Sequence, residues 1–187
     1  MFVKVTGTKV EKYPYDINDI NQDFPSISLP STPTHDMLAS MGIYPVESSP
    51  KPTYDILTSK LVEGTPVYNK TSKVWVQKWA VTAATEQEIA DTIHSIEIDI
   101  DNGVSADLNA FARLKGYQDI HTACSYALSN NPVFKADGEH CIQVRDITWI
   151  EVYKIIESGK RGLVPMPLSY DDIKKQLPPL EWPSADQ

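Results

Sequence analysis

The hydrophobic period of this chain changes once, at Thr85, and that change limits what it can fold into. In "SKVWVQKWAVT" an extended strand puts Trp75, Gln77, Trp79 and Val81 on one side and Val74, Val76, Lys78 and Ala80 on the other. From "TAATEQEIADTIHSI" onward the period is that of a helix, and Thr85 with Glu88 three residues on forms a capping box. Residues repeating every second position bury against a sheet, and those repeating every 3.6 bury along a helix stripe. The expected fold class is therefore α+β. It comprises a small β-rich module over residues 1–84 and an α-helical domain over residues 85–187 that ends in an extended tail.

Within the first module, "MFVKVTGTKV" alternates as one strand with Val3 and Val5 on the same face. "YPYDINDINQDFP" predicts a short helix capped by Asp16 and stopped at Pro25. The proline-laden "SISLPSTPTHD" predicts a loop, and "THDMLASMGI" a helix capped at Thr34 or Asp36 and closed by Gly42. "ILTSKLVEGTPVYNKTSKVWVQKWAVT" breaks at Glu63-Gly64 and at "NKTS", which predicts a hairpin or three-stranded meander. Trp75 and Trp79 then cover the core of that small sheet or present a partner-binding surface.

In the second half, "EIDIDNG" reads as a solvated loop before a helix over "SADLNAFARLKGY", with Leu108, Phe111 and Ala112 on one face. "DIHTACSYALSNNP" predicts a helix capped by Asp119, stopped at Asn131-Pro132, with Cys124 on a face shared by Ala123, Ala127 and Leu128. "EHCIQVRDITWIEVYKIIESG" predicts the longest helix, with Cys141, Val144, Thr148, Val152 and Ile155 stacked along one stripe and Gly159 at its end. A last helix over "SYDDIKKQL" takes Ser169 and Asp172 as its box. The prolines of "PPLEWPSADQ" force an extended tail, so Leu180 and Trp182 either fold back onto the domain or dock into a neighbouring subunit.

The charge of -8 excludes a broad phosphate-binding surface, and the longest basic cluster, Lys160-Arg161, is too small to supply one. No nucleic-acid partner is expected. An apolar content of 41% is that of a globular chain. The first residues lack the apolar stretch of a secretory signal and no run is long enough to span a bilayer, so a cytoplasmic protein with free thiols and no membrane partner is expected.

His121, Cys124, His140 and Cys141 are of the right type for a tetrahedral zinc site, and a spacing of three puts His121 and Cys124 on one helix side. Adjacent His140 and Cys141, however, point about 100° apart on a helix. Both cysteines also fall on apolar stripes, so packing is preferred over metal. "EIDIDNG" fits no frame of a calcium-binding loop. A cysteine–histidine nucleophile would have only sequence proximity, and no phosphate-cradling loop, nucleophile elbow or H-E-x-x-H occurs. No catalytic residue, metal or cofactor is assigned.

The run "GYQDIHTACSYALSNNPVFKADGEHCIQVRDITWIEVYKII" followed by "PMPLSYDDIKKQLPPLEWP" resembles the C-terminal region of small tail-fibre-associated and tail-fibre assembly proteins of tailed bacteriophages. "YPYDINDINQDFPSISLP", "MLASMGIYPV" and "VWVQKWAVTAATEQEIA" resemble their N-terminal module. Cys124, Arg145, Asp146, Trp149 and Trp182 fall on the pattern; His121 and His140 do not. The resemblance implies a non-enzymatic structural or adaptor protein of the virion, joining fibre or tail-tip parts to the baseplate. A fibre-assembly chaperone acting in the host cytoplasm is the alternative, and a metalloprotein using the His/Cys cluster is a third. Other tail proteins are the implied partners, in an oligomer or larger assembly. Trp75, Trp79, Leu180 and Trp182 are the expected partner-binding residues. Arg145-Asp146 reads as a buried pair or a partner contact.

Overall fold

The computed structural model describes residues 1–27, 30 and 33–183. Part of "SISLPSTPTHD" and the last four residues of the tail lie outside them. The chain divides into two compact units, Met1–Ile89 and Ala90–Gln187.

The first unit is built on a five-stranded sheet. Its strands are β1 (Phe2–Thr6), β2 (Lys9–Tyr15), β3 (Ile43–Glu47), β4 (Ser59–Asn69) and β5 (Val74–Ala83) in the order β2-β1-β3-β5-β4. β3 runs parallel to β5, and the other pairs are antiparallel. "MFVKVTGTKV" is two strands rather than one, reversing at Gly7, whose φ of 64° suits a residue without a Cβ. Glu63-Gly64 does not end a strand either: β4 continues through it, and a register shift between Gly64 and Val67 absorbs the irregularity. Among the described residues the unit also holds α1 (Ile17–Asp23) and α2 (His35–Ser40). Asp16 and Asp19 cap α1 reciprocally, and Thr34 rather than Asp36 caps α2, its Oγ1 accepting from Met37 N at 3.3 Å.

The sheet is apolar on both faces. Tyr15, Ile20, Leu38 and Ile43 form one buried cluster with the helices, and Val3, Val5 and Trp75 form another, with Tyr13, Tyr44 and Val46 against it. Neighbours Ile43 and Tyr44 contribute to different clusters, as strand alternation requires.

The second unit is helical. α3 (Glu86–Arg113) begins in the first unit and runs unbroken through "EIDIDNG", so that segment is helix and not a loop. Its glycine has a different purpose. A Cβ at Gly103 would lie 2.2 Å from the Tyr170 ring, which packs where that Cβ would be. α4 (Ile120–Ser125) is capped by Asp119 and passes into a 3-10 turn, Tyr126–Leu128. Leu128 turns out of the apolar face expected for it and is 93% exposed.

α5 spans Pro132–Lys160, starting seven residues before Glu139. Asn131-Pro132 is thus a start rather than a stop. The Asn131 side chain accepts from Val133 N and Phe134 N, and proline at the first helical position has no N–H to leave unpaired. α6 (Tyr170–Lys174) closes the order. Ser169 makes no capping bond there; Tyr170 N donates instead to Asp99 of α3 at 2.9 Å, and Asp172 accepts from Leu168 N at 2.8 Å.

Ile100, Val104, Leu108, Phe111, Ile120, Cys124, Cys141, Val152, Ile156 and Ile173 are buried in this unit. Gly138 lets the 3-10 turn approach α5, since a Cβ there would lie 2.2 Å from Ala127 N. No helix among the described residues is long and apolar enough to cross a membrane.

Candidate partner-binding surfaces

The two sheet tryptophans have different surroundings. Trp75, 7% exposed, packs with Val3 and Val5 and meets Tyr68 at 5.5 Å between ring centroids. It leaves only an edge to a shallow cavity of about 320 Å³ shared with Tyr44, Tyr68 and Lys70. Trp79 is half-buried; its indole N–H donates to Ser49 O at 3.2 Å, and Lys51 Nζ lies 5.3 Å from its ring. Around it runs a polar chain. The Tyr13 hydroxyl and Gln77 Nε2 (2.6 Å) both donate to Glu63, and Ser49 Oγ donates to Gln77 O at 2.7 Å. Hydrogen bonds from Tyr13 and Gln77 hold the Glu63 carboxyl below its usual range. These residues tie a loop to the sheet, and both indoles spend most of their surface inside the unit.

The tail does the same for the helical unit. Trp182 stacks on Phe111 at 4.5 Å and 13° between planes, and its N–H donates to the Phe111 carbonyl at 3.2 Å. That carbonyl belongs to the last turn of α3 and also accepts from Leu114 N at 3.2 Å, so the indole is its second donor. Lys115 Nζ lies 4.8 Å from the indole, and His140 Nε2 donates to Glu181 O at 2.9 Å. Leu180 is half-buried beside a cavity of about 260 Å³ that it lines with Val104, Thr148 and Tyr170. Of the two expected fates of Trp182, folding back is the one adopted.

The His/Cys cluster is not assembled. His121 is exposed on α4, and His140 is engaged with the tail. Cys124 and Cys141 are buried free thiols. Burial pushes both up, Cys141 to about 12, so neither tends toward the thiolate that metals and electrophiles need. Among the described residues no three His, Cys, Asp or Glu side chains group as a metal site. Arg145 and Asp146 pair with each other at 2.7 Å on the surface of α5, not in the core.

One surface was missed by reading the core stripe alone. Ile147, Ile150 and Tyr153 are 54%, 66% and 60% exposed on the side of α5 opposite Cys141, Thr148 and Val152. Three apolar residues at a spacing of three share a helix face. The spacing was visible in "RDITWIEVYK", but a helix with apolar residues on two sides does not say which side its own domain covers.

Comparison of the chain with protein-family models, with curated proteins and with solved structures found no match.

Proposed function

We propose that the protein is a non-enzymatic structural or adaptor component of a bacteriophage tail, joining fibre or tail-tip parts to the baseplate. One observation carries the reading. The segments that resemble phage tail-fibre-associated proteins coincide with the parts that close the helical unit: the Cys124 face of α4, the α5 helix, and the tail ending in Trp182. A pattern made of packing and capping residues is inherited with a scaffold, and a scaffold with two compact units suits a joining role. Its partners are other tail proteins, and it resides in the virion after assembly in the host cytoplasm.

Quantitative mass spectrometry of purified particles tests this. A structural role requires the protein at a fixed stoichiometry to the baseplate proteins. Presence in infected cells bound to the fibre, with absence from particles, would transfer the assignment to an assembly chaperone. Absence from both would remove the tail reading altogether.

A further inference from the structure

We propose that the outer face of α5 is a homodimer interface, with two copies packed antiparallel about a twofold axis at Ile150. Ile147, Ile150 and Tyr153 leave an apolar strip along the middle of this helix, and each is more than half exposed. Single exposed apolar residues need no explanation, but a continuous strip on one helix face does.

The charges flanking the strip select the occupant and the direction. A twofold axis at Ile150 sets Ile150 on its own copy and Ile147 against Tyr153. It also sets Asp146 opposite Lys154, and Glu139 opposite Arg161, each pair occurring twice by symmetry. These four charged residues lie at or beyond the ends of the strip, and none is buried; Glu157, exposed on the same face, falls opposite the uncharged Gln143. Asp146 and Lys154 already touch Arg145 and Glu151 of their own helix, at 2.7 and 3.1 Å. A carboxylate accepts several hydrogen bonds and an ammonium donates three, so a second partner can join each.

Three other arrangements of the same two helices fail on the same residues. A parallel pair places Asp146 on Asp146 and Lys154 on Lys154. An antiparallel pair shifted to bring Ile147 against Ile150 sets Asp146 opposite Glu151. A shift to residue 152 sets Ile150 against Lys154. In a chain of net charge -8, self-association needs a register in which opposite signs meet, and the Ile150 axis supplies it. One helix pair is a small interface, so the dimer is concentration-dependent. The pairing does not rest on the phage-tail reading, and it would hold for any host of this chain.

Light scattering and sedimentation of the full chain across the micromolar range form the first test. The expected mass approaches twice the 20.9 kDa of one chain as concentration rises. Ile150→Asp should weaken the dimer by at least about tenfold while leaving the circular dichroism spectrum unchanged. Asp146→Lys and Lys154→Asp should each weaken it alone, and their combination should restore it, which a merely sticky patch would not do. An Ile150→Cys variant should cross-link under mild oxidation, because the axis brings the two introduced thiols together. A wild-type chain that stays monomeric throughout overturns the proposal and leaves the strip to a different protein. So does a dimer that survives Ile150→Asp, or one whose charge swaps do not rescue each other.

Discussion

The sheet unit and the helical unit solve the problem of holding distant segments together by different means. In the sheet unit, side-chain hydrogen bonds span the gap: Tyr13, Gln77 and Glu63 meet across strands, and Ser49 and Trp79 fasten a loop to them. In the helical unit the backbone itself comes close, at Gly138 against Ala127, and an aromatic tail clasps the end of α3. A hydrogen-bonded brace tolerates small changes of volume, whereas a close backbone approach does not. The two halves should therefore fail differently.

The largest effect is expected from separating the two units. A fragment of residues 85–187, which retains the Thr85 cap of α3, is expected to be soluble and helical by circular dichroism. An unfolded fragment would mean that both units depend on one cooperative core.

Next in size are the glycines. Gly138→Ala should cost about 3 kcal/mol, because the new Cβ meets backbone that has no rotamer to move, and this outweighs the gain in helix propensity. Gly64→Ala in the sheet unit meets only Lys78 O at 3.7 Å, an ordinary contact, and should change stability by less than about 1 kcal/mol. Chemical denaturation of the two variants measures the difference; equal effects would erase the distinction.

The braces themselves rank below. Trp182→Ala should cost about 2 kcal/mol, less than a fully buried tryptophan because the indole is half-exposed. Tyr13→Phe, which removes one donor to Glu63, should cost about 1 kcal/mol. Denaturation of the single and double variants should show no coupling between the two losses, each confined to its own unit, since the two residues belong to separate units.

The smallest effect concerns protons. Burial lifts Cys141 to about 12 from 9.0, and burial with an Asp137 hydrogen bond lifts Tyr117 to about 12 from 10.0. Groups with raised folded values hold their protons more tightly in the native state, so their contribution is complete below the unfolded values. It is lost as pH rises toward 12. Stability of the helical unit should accordingly be flat through neutral pH and decline in alkali. A thiol reagent should find neither cysteine reactive in the native protein at neutral pH. Rapid modification of Cys141 without unfolding would refute its burial.

Much of this was legible locally. The cap of Asp16, the cap of Asp119, the shared face of Val3 and Val5 and the stripe of Cys141, Thr148 and Val152 all follow from residues a few positions apart. The errors came where one residue type has two meanings. Asn131-Pro132 reads equally as a stop or as a cap with proline at the first turn, and Gly103 equally as a loop or as room for Tyr170. β3 gave little signal because Pro45 interrupts a run of only five residues.

The α+β class, the change of period near Thr85, most helix starts and the inward faces of the long helices are written in the order of the residues. These depend on periodicity and on hydrogen bonds spanning three or four residues. That Trp182 stacks on Phe111, that Asp99 rather than Ser169 meets the start of α6, and that Ile147, Ile150 and Tyr153 are left outside emerges when the helices pack. Each of these depends on which surfaces meet across tens of residues, and burial is a property of the pair of surfaces rather than of either residue alone.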